Sequence, residues 1–338
     1  MLQTEVEFLG DVSHFLGVKF DWSQKPSSLQ VHLSQPAFID HLAHEAGLHE
    51  DSASAPKSPY RSGLPIDSIP TSPMSTDDRT KLRNRMQQLM GSLQWLLHCT
   101  RPDIFTATAL LSQYQHSPSP GHLQAAKYIV RYLKGTASHG IRFDSSNDNI
   151  MQSFLHFPNR TKQRLTGISD ANWGAQDQSL SFQSNLTLDL YKSRSFSGHI
   201  ITLHGPIHWS SKRQSITARS SAESEIYATD ECTKNILHIR HILSDLLLSH
   251  TFCPDATTIY NDNNACVLWS SNMATKDLRH VQIRENDVRK SVQKNAISVK
   301  HVAGIVNLAD LFNKEDRDIP HFTSTRDVIM SDRPTYVI

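Results

Sequence analysis

A chain of 338 residues with 38% hydrophobic and 20% charged side chains is too long for one small module and too apolar for a disordered or collagen-like polymer. Lys and Arg total 34 against 33 Asp and Glu, so no chain-wide positive field marks a polyanion partner, and nucleic-acid contact has to come from local patches. Scattered Cys99, Cys232, Cys253 and Cys266, an acidic start, and no aliphatic run longer than Leu246–Leu248 argue against a disulfide scaffold, a signal core and a membrane span. The expectation is a soluble protein of the cytoplasm or nucleus, not secreted and with no membrane partner. Asn159 and Asn185 begin N-x-Ser/Thr sequons, which without a secretory signal read as chance matches.

In chain order, Phe15, Leu16, Val18 and Phe20, then Leu29, Val31 and Leu33, flank the turn-forming Lys25–Ser28, which predicts a hairpin. Pro36 follows Ser34, and the apolar set Phe38, Ile39, Leu42, Ala43 and Ala46 ends at Gly47, a helix with its start and stop signals. Residues 51–78 are rich in Ser and Pro and read as a surface linker. Three helices follow between Arg79 and Lys134. The first is marked by Leu82, Met86, Leu89, Leu93, Leu96 and Leu97, the second opens at Pro102, and the third runs from about Gly121 to Gly135. Residues 144–163 are polar and irregular. Beyond them strands are expected at 165–171, 195–203 and 207–211, a long helix over 222–248, a strand at 257–260, helices from 263 and around 283–292, a strand at 297–302 and a short helix at 308–312. The predicted division is therefore 1–50, a linker 51–78, a helical unit 79–143, a linker 144–163, an α/β unit 164–315 and a C-terminal tail 316–338.

Four acids stand at the ends of elements in the α/β unit: Asp170 in its first strand, Glu225 on the long helix, Asp262 just after the fourth strand and Asp310 at the last short helix. A carboxylate in an apolar strand such as 165–171, or closing the run Thr257–Tyr260, costs several kcal/mol unless it is compensated. A divalent cation would compensate it, and oxygen ligands without paired Cys or His suit Mg²⁺ or Mn²⁺. Two such ions are the standard arrangement for displacing a phosphodiester by water. Strand-end caps and solvated charge explain the same placement, and both readings stay open on spacing alone.

The motifs SDANWG at Ser169–Gly174, SFSGHII at Ser195–Ile201, HWSSKRQ at His208–Gln214, SSAESEIYATDE at Ser220–Glu231, IYNDNNA at Ile259–Ala265 and LADLFNK at Leu308–Lys314 together resemble the ribonuclease H domain of Ty1/copia-type retrotransposon polyproteins. Upstream, HFLGVKF and LSQPAFIDHL resemble the end of a reverse-transcriptase palm, while GSLQWLLHCTRPDI and SPSPGHLQAAKYIVRYLKGT resemble a thumb or connection. The resemblance reaches to about Met330. It implies a mixed five-stranded α/β sheet with flanking helices, preceded by a partial palm hairpin and a helical connection. It also implies hydrolysis of the RNA strand of an RNA–DNA hybrid by two Mg²⁺ or Mn²⁺ ions, leaving a 3′-hydroxyl and a 5′-phosphate. The metal-binding and catalytic acids carried over are Asp170, Glu225, Asp262 and Asp310. Asp170 would touch both ions, Asp310 the ion presenting water, and Glu225 with Asp262 the ion on the leaving-group side. The family's polymerase motif, an aromatic-x-Asp-Asp strand, has no counterpart in this sequence, so no DNA synthesis is expected of the chain alone.

Two residues of helix separate Glu223 from Glu225, so only one faces Asp170. The resemblance favours Glu225 and leaves Glu223 as a first-turn carboxylate. Ser221 and Asn263 are placed to read a 2′-hydroxyl or to cap helices. Lys212, Arg213 and Arg219, with Arg289 and Lys290 further on, form candidate phosphate contacts. Trp173 and Trp209 offer rings for base stacking or for packing. His238, His241, His250 and Cys253 lack the paired spacing of a zinc site, and His301 falls in a predicted strand, not in the loop where related nucleases carry a product-release histidine. The expected partners are an RNA–DNA hybrid and a polymerase palm. The competing readings are a co-opted remnant that binds nucleic acid or a partner without cleaving, and a polymerase subunit whose palm is supplied in trans.

Overall fold

In the computed structural model the described residues are 10–25, 28–48, 55–60, 74–145, 164–173, 194–271, 282–314 and 318–330. The expected linkers 51–78 and 144–163 lie largely outside them. The first sheet holds β1 (His14–Phe15), β2 (Val18–Lys25), β3 (Ser28–Ser34) and β4 (Gly140–Asp144) in that order, every neighbour antiparallel. The period-two pattern aligns Trp22 with Val31 and Val31 with Phe143, and Phe20 with Leu33 and Leu33 with Ile141, so one face is apolar at its centre. Strand β4, which the sequence reading did not pick out, brings the chain back to the hairpin after the helices.

Four helices lie between β3 and β4 in the chain, α1 (Pro36–Glu45), α2 (Thr76–Cys99), α3 (Phe105–Ser112) and α4 (Pro120–Gly135), and Leu33, Ile141 and Phe143 of the sheet pack into their buried cluster. Helix α2 starts where Ser75 accepts from the Asp78 N–H, and its expected stripe from Leu82 to Leu97 is buried. Ser119 and His122 cap α4 reciprocally. Arg101 and Asp103, both fully buried, pair through two hydrogen bonds of 3.0 and 2.8 Å, and the Tyr132 hydroxyl donates to the same carboxylate.

The second sheet has the order β7-β6-β5-β8-β9, from β5 (Thr166–Asn172), β6 (Phe196–Thr202), β7 (Pro206–Arg213), β8 (Thr257–Asn261) and β9 (Ile297–His301). β5, β6 and β7 pair antiparallel, while β5–β8 and β8–β9 are parallel. Helix α5 (Ser221–Asp245) packs on one face, with α6 (Asn264–Ser271) and α7 (Gln282–Gln293) beside it. Its approach to β5 is close enough that a Cβ on Gly167 would fall 2.6 Å from Ile236 and 2.8 Å from Cys232. This mixed five-stranded sheet with flanking helices is a ribonuclease H-like architecture.

The opposite face is covered by the 3₁₀ turn Leu308–Phe312 and by the first group of helices. Ile168, Phe196, Ile200 and Trp209 of the sheet share one buried cluster with Leu93, Leu97, Leu111 and Phe312. Part of the stretch read as a tail forms α8 (Ile319–Met330), whose Phe322, Ile329 and Met330 are buried in the same cluster. Among the described residues no helix is long and apolar enough to cross a membrane.

Candidate metal centre

Parallel pairing sets the centre. In β5 and β8 Thr166 faces Thr258 and Ile168 faces Tyr260, and the same offset carried two residues further puts Asp170 beside Asp262. Both strands end on the same side of the sheet, as parallel strands must. Helix α5 crosses β5 and supplies Glu225 from its second turn. One carboxylate oxygen from each of Asp170, Glu225 and Asp262 lies within 4.8 Å of the other two. Asp170 is 2% exposed, Glu225 6%, and Asp262 is half-buried.

Amides fix these carboxylates. Asn307 Nδ2 donates to Asp170 Oδ1 at 3.1 Å, and Asn313 Nδ2 to Asp170 Oδ2 at 2.6 Å. Asn261 Nδ2 donates to Glu225 Oε2 at 2.9 Å and also to the Ser169 backbone carbonyl. Gly304 leaves room for Asp262, since a Cβ there would lie 3.2 Å from its Oδ2. The fourth acid, Asp310, stands outside the triad of oxygens but next to Asp170. Its Oδ1 accepts from Lys314 Nζ, which also lies 3.5 Å from Asp170 Oδ2, and its Oδ2 is 3.2 Å from His321 Nε2.

The Leu308–Phe312 turn reaches this position because β6 carries Gly198 opposite Asp170. A Cβ on Gly198 would sit 2.8 Å from the Ala309 carbonyl oxygen and 2.8 Å from Phe312 Cβ. Burial pushes the carboxyls of Asp170, Glu225 and Asp262 up. Glu225 is raised to about 9 by burial and then by the Asp170 charge, Asp170 is raised by burial, and Asp262 by burial and by Asp170. Burial works against the Lys314 ammonium, yet Asp170 and Asp310 outweigh it and hold its pKa above the ordinary lysine value. A cluster so short of positive charge, built only from oxygen donors, fits a hard divalent cation.

No protein-family model matches the chain. Among curated proteins it is 32% identical over 309 residues to the retrovirus-related Pol polyprotein from transposon RE1 of Arabidopsis thaliana, a match covering 90% of this chain. Identity is 31% over 312 residues with the RE2 polyprotein of the same plant, and 25% over 313 residues with the TNT 1-94 polyprotein of Nicotiana tabacum. The chain is homologous to the Pol polyproteins of Ty1/copia-type retrotransposons. It spans about a fifth of the length of these relatives, 18%, 18% and 21% respectively.

Around the acids, this Pol region assigns the other named residues more plainly than spacing could. Ser220, not Ser221, caps α5, accepting from the Glu223 N–H at 3.2 Å, while Ser221 is the first helical residue and is exposed. Glu223 closes the cap by accepting from the Arg219 N–H at 2.6 Å, the first-turn role anticipated for it. Asn263 Oδ1 accepts from the Cys266 N–H at 3.0 Å and so starts α6. Lys212, Arg219 and Lys290 are exposed. Arg213 lies over the Phe196 ring and Arg289 over Trp269, at 4.7 and 4.5 Å from the ring centroids, so their guanidinium groups are partly engaged in the fold.

Trp209 is core, donating to the Leu97 carbonyl at 2.7 Å, whereas Trp173 is half exposed with its indole N–H on Ala218. His301 ends β9, its Nε2 lying 3.1 Å from the Asp262 carbonyl oxygen. Among the described residues the acidic triad is the one group of His, Cys, Asp and Glu side chains arranged to hold an ion. Sequence reasoning missed Asn261, Asn307, Asn313, Lys314 and His321. The first four lie within a few residues of a motif acid, so proximity could have flagged them, but His321 sits in the stretch read as a tail.

Proposed function

We propose that this chain is a retroelement-derived ribonuclease H, hydrolysing the RNA strand of an RNA–DNA hybrid with Mg²⁺ or Mn²⁺. The observation that carries the reading is the meeting of Asp170, Glu225 and Asp262 at one end of a ribonuclease H-like sheet. A divalent ion there would be held by those three carboxylates, and when bound it supplies Lewis-acid polarisation of the scissile phosphate and a more acidic water.

The chain's own residues do the rest. Asn307 and Asn313 orient Asp170, and Asn261 orients Glu225, so the ligand oxygens are fixed before an ion arrives. Asp310 lies against Asp170 and shares Lys314 with it, at the position where the sequence reading placed a second ion. Of the predicted phosphate contacts, Lys212, Arg219 and Lys290 are exposed and available to phosphates, Lys290 with Asp287 4.0 Å away. Choice of RNA over DNA requires a polar group at the 2′-hydroxyl. Exposed Ser221, at the start of the helix that carries Glu225, is free of the capping role and is proposed for it.

The test is cleavage of a labelled hybrid with Mg²⁺. Asp262→Asn is expected to lower the rate by about 10²-fold or more, in keeping with loss of an ion that polarises the phosphate. Undiminished cleavage by that variant would remove the assigned site. Preserved hybrid affinity with no cleavage and no divalent-ion binding by the unaltered chain would instead establish the non-cleaving, nucleic-acid-binding remnant.

A further inference from the structure

A cavity of about 240 Å³ opens between β6, β7 and α5, on the face of the sheet that carries this helix. Its floor is buried: Ser197 and His199 of β6, Gln214 just past β7, and Tyr227 of α5. Exposed Lys212 and Ile216 stand at its mouth. The floor is fixed by its own bonds. Gln214 Nε2 donates to Ser197 Oγ and to the Ser224 carbonyl, both at 2.9 Å, and the Gln214 backbone N–H to the Ser195 carbonyl at 2.8 Å. The Oε1 of the same amide, in a side chain 8% exposed, has no hydrogen-bond partner among the described residues, which leaves an acceptor in want of a donor. His199 Nε2 lies 3.3 Å from His208 Nδ1 and 3.4 Å from Asn235 Nδ2. Burial, and then His208, lower its pKa to about 3, so this ring stays uncharged.

Register places the cavity at the acidic end of the sheet. Ser197 pairs with Ala171 on one side and with Lys212 on the other, so Lys212 lies two strands, about 10 Å, from the residue that follows Asp170. A lone phosphate would leave most of this space unfilled and meet positive charge only at the mouth, while a duplex is too wide to enter it. Two rings and a neutral, hydrogen-bonding floor beneath a cation suit a flat heterocycle joined to one phosphate. Glu231, on the α5 wall one turn beyond Tyr227 and 3.4 Å from Lys234, adds an acceptor for an exocyclic amine. We propose that this cavity takes one unpaired nucleotide, its base against His199 and Tyr227 and its phosphate at Lys212. The inference deepens the ribonuclease reading and rests on it for the strand that delivers the nucleotide. The source is either the unpaired end of a bound strand or a free mononucleotide.

The experiment titrates the full chain, in chelator so that no cleavage intervenes, with two RNA–DNA hybrids of one sequence. One is blunt and the other ends in a single unpaired aminopurine nucleotide; free aminopurine ribonucleoside 5′-monophosphate is the third probe. The unpaired nucleotide is expected to tighten binding about 10-fold, and its fluorescence to fall as the base stacks. Ser210→Leu, which fills the cavity from β7, is expected to abolish both effects and to leave binding and Mg²⁺-dependent cleavage of the blunt hybrid unchanged. Lys212→Met, at an exposed position, is expected to weaken the overhanging hybrid more than the blunt one. Free nucleotide held with the same dependence on Ser210, and no gain from the overhang, upholds the inference and assigns the cavity to a diffusible nucleotide. Failure to hold either probe, or binding indifferent to both substitutions, overturns it, and loss of cleavage in Asp262→Asn then still upholds the nuclease reading. A chain that holds the nucleotide but cleaves no hybrid with Mg²⁺ loses the nuclease reading and keeps this one.

Discussion

Replacing Glu225 with Gln should make the metal-free protein more stable at alkaline pH while abolishing its response to metal. In the folded chain this carboxyl is held at about 9, against an ordinary 4.5, by burial and by the Asp170 charge. A group whose folded value is raised contributes stability that is whole below the unfolded value and is lost as pH rises through the folded one. Metal-free wild type should therefore weaken steadily between about pH 4.5 and 9. Each unit is worth about 1.4 kcal/mol, so at pH 8 the penalty is at most about 5 kcal/mol, and Asp170, raised beside it, shares that titration. Gln keeps the oxygen that accepts from Asn261 Nδ2 and carries no proton to lose. Urea denaturation in chelator at pH 5 and pH 8 measures the difference. The variant should match wild type at the lower pH, exceed it at the higher, and show no added stability on Mn²⁺ addition. Parallel pH dependence of the two proteins would mean that Glu225 is not held in the protonated form, and the account of the centre as a cation-deficient cluster would be refuted.

Asp103→Asn leaves Arg101 fully buried without its carboxylate, so a loss of about 3–5 kcal/mol in equilibrium unfolding is expected; a loss under about 1 kcal/mol would show that the pair is dispensable. Gly198→Ala drives a methyl to within 2.8 Å of the Ala309 carbonyl oxygen. It should cost about 1–3 kcal/mol and weaken Mn²⁺ binding by displacing the turn that leads to Asn313, whereas wild-type affinity would separate the turn from the site. Neutralising Lys212, Arg219 and Lys290 together should weaken hybrid binding and flatten its dependence on log salt by about 0.9 for each phosphate that these side chains neutralise; an unchanged slope would place the nucleic acid elsewhere.

Most of the second sheet is legible in the sequence because its elements are strongly patterned and its acids end them. The β-branched run Thr257–Tyr260 reads as a buried strand, and the strand observed is Thr257–Asn261. The long helix, expected at 222–248, spans Ser221–Asp245; Leu246–Leu248 continue its apolar composition past its end, where Leu247 turns to a positive φ of 58°. Strand β4 escapes a sequence reading because five residues that begin with Gly140 carry too little alternation, and their pairing partner Ser28–Ser34 is more than a hundred positions away. Helix α8 escapes it because Thr323, Ser324 and Thr325 break its apolar run, and only the distant cluster around Tyr132 explains why Phe322 and Ile329 are buried. Motif and spacing locate the acids but not the lysine between two of them, since which cation faces a carboxylate is decided by tertiary approach.

That approach is built by elements from opposite ends of the chain. Thr106 of α3 donates to the Leu311 carbonyl at 3.0 Å, and Ser211 of β7 reaches Thr106 at 3.4 Å, so the turn bearing Asp310 is seated on the first group of helices as well as on β6. From the other side, α8 places Phe322 against the Tyr132 ring at 6.2 Å and Arg326 within 3.4 Å of the Tyr132 hydroxyl. Tyr132 in turn donates to Asp103, the partner of Arg101. His321, beside Phe322, is thereby held against Asp310. The position of His321 at the metal centre is thus tied by packing to a buried ion pair in the helices upstream. In a homologue of Pol polyproteins this means that the helical region preceding the ribonuclease H-like sheet does more than connect it, because it seats the turn that bears Asp310 and the helix that bears His321.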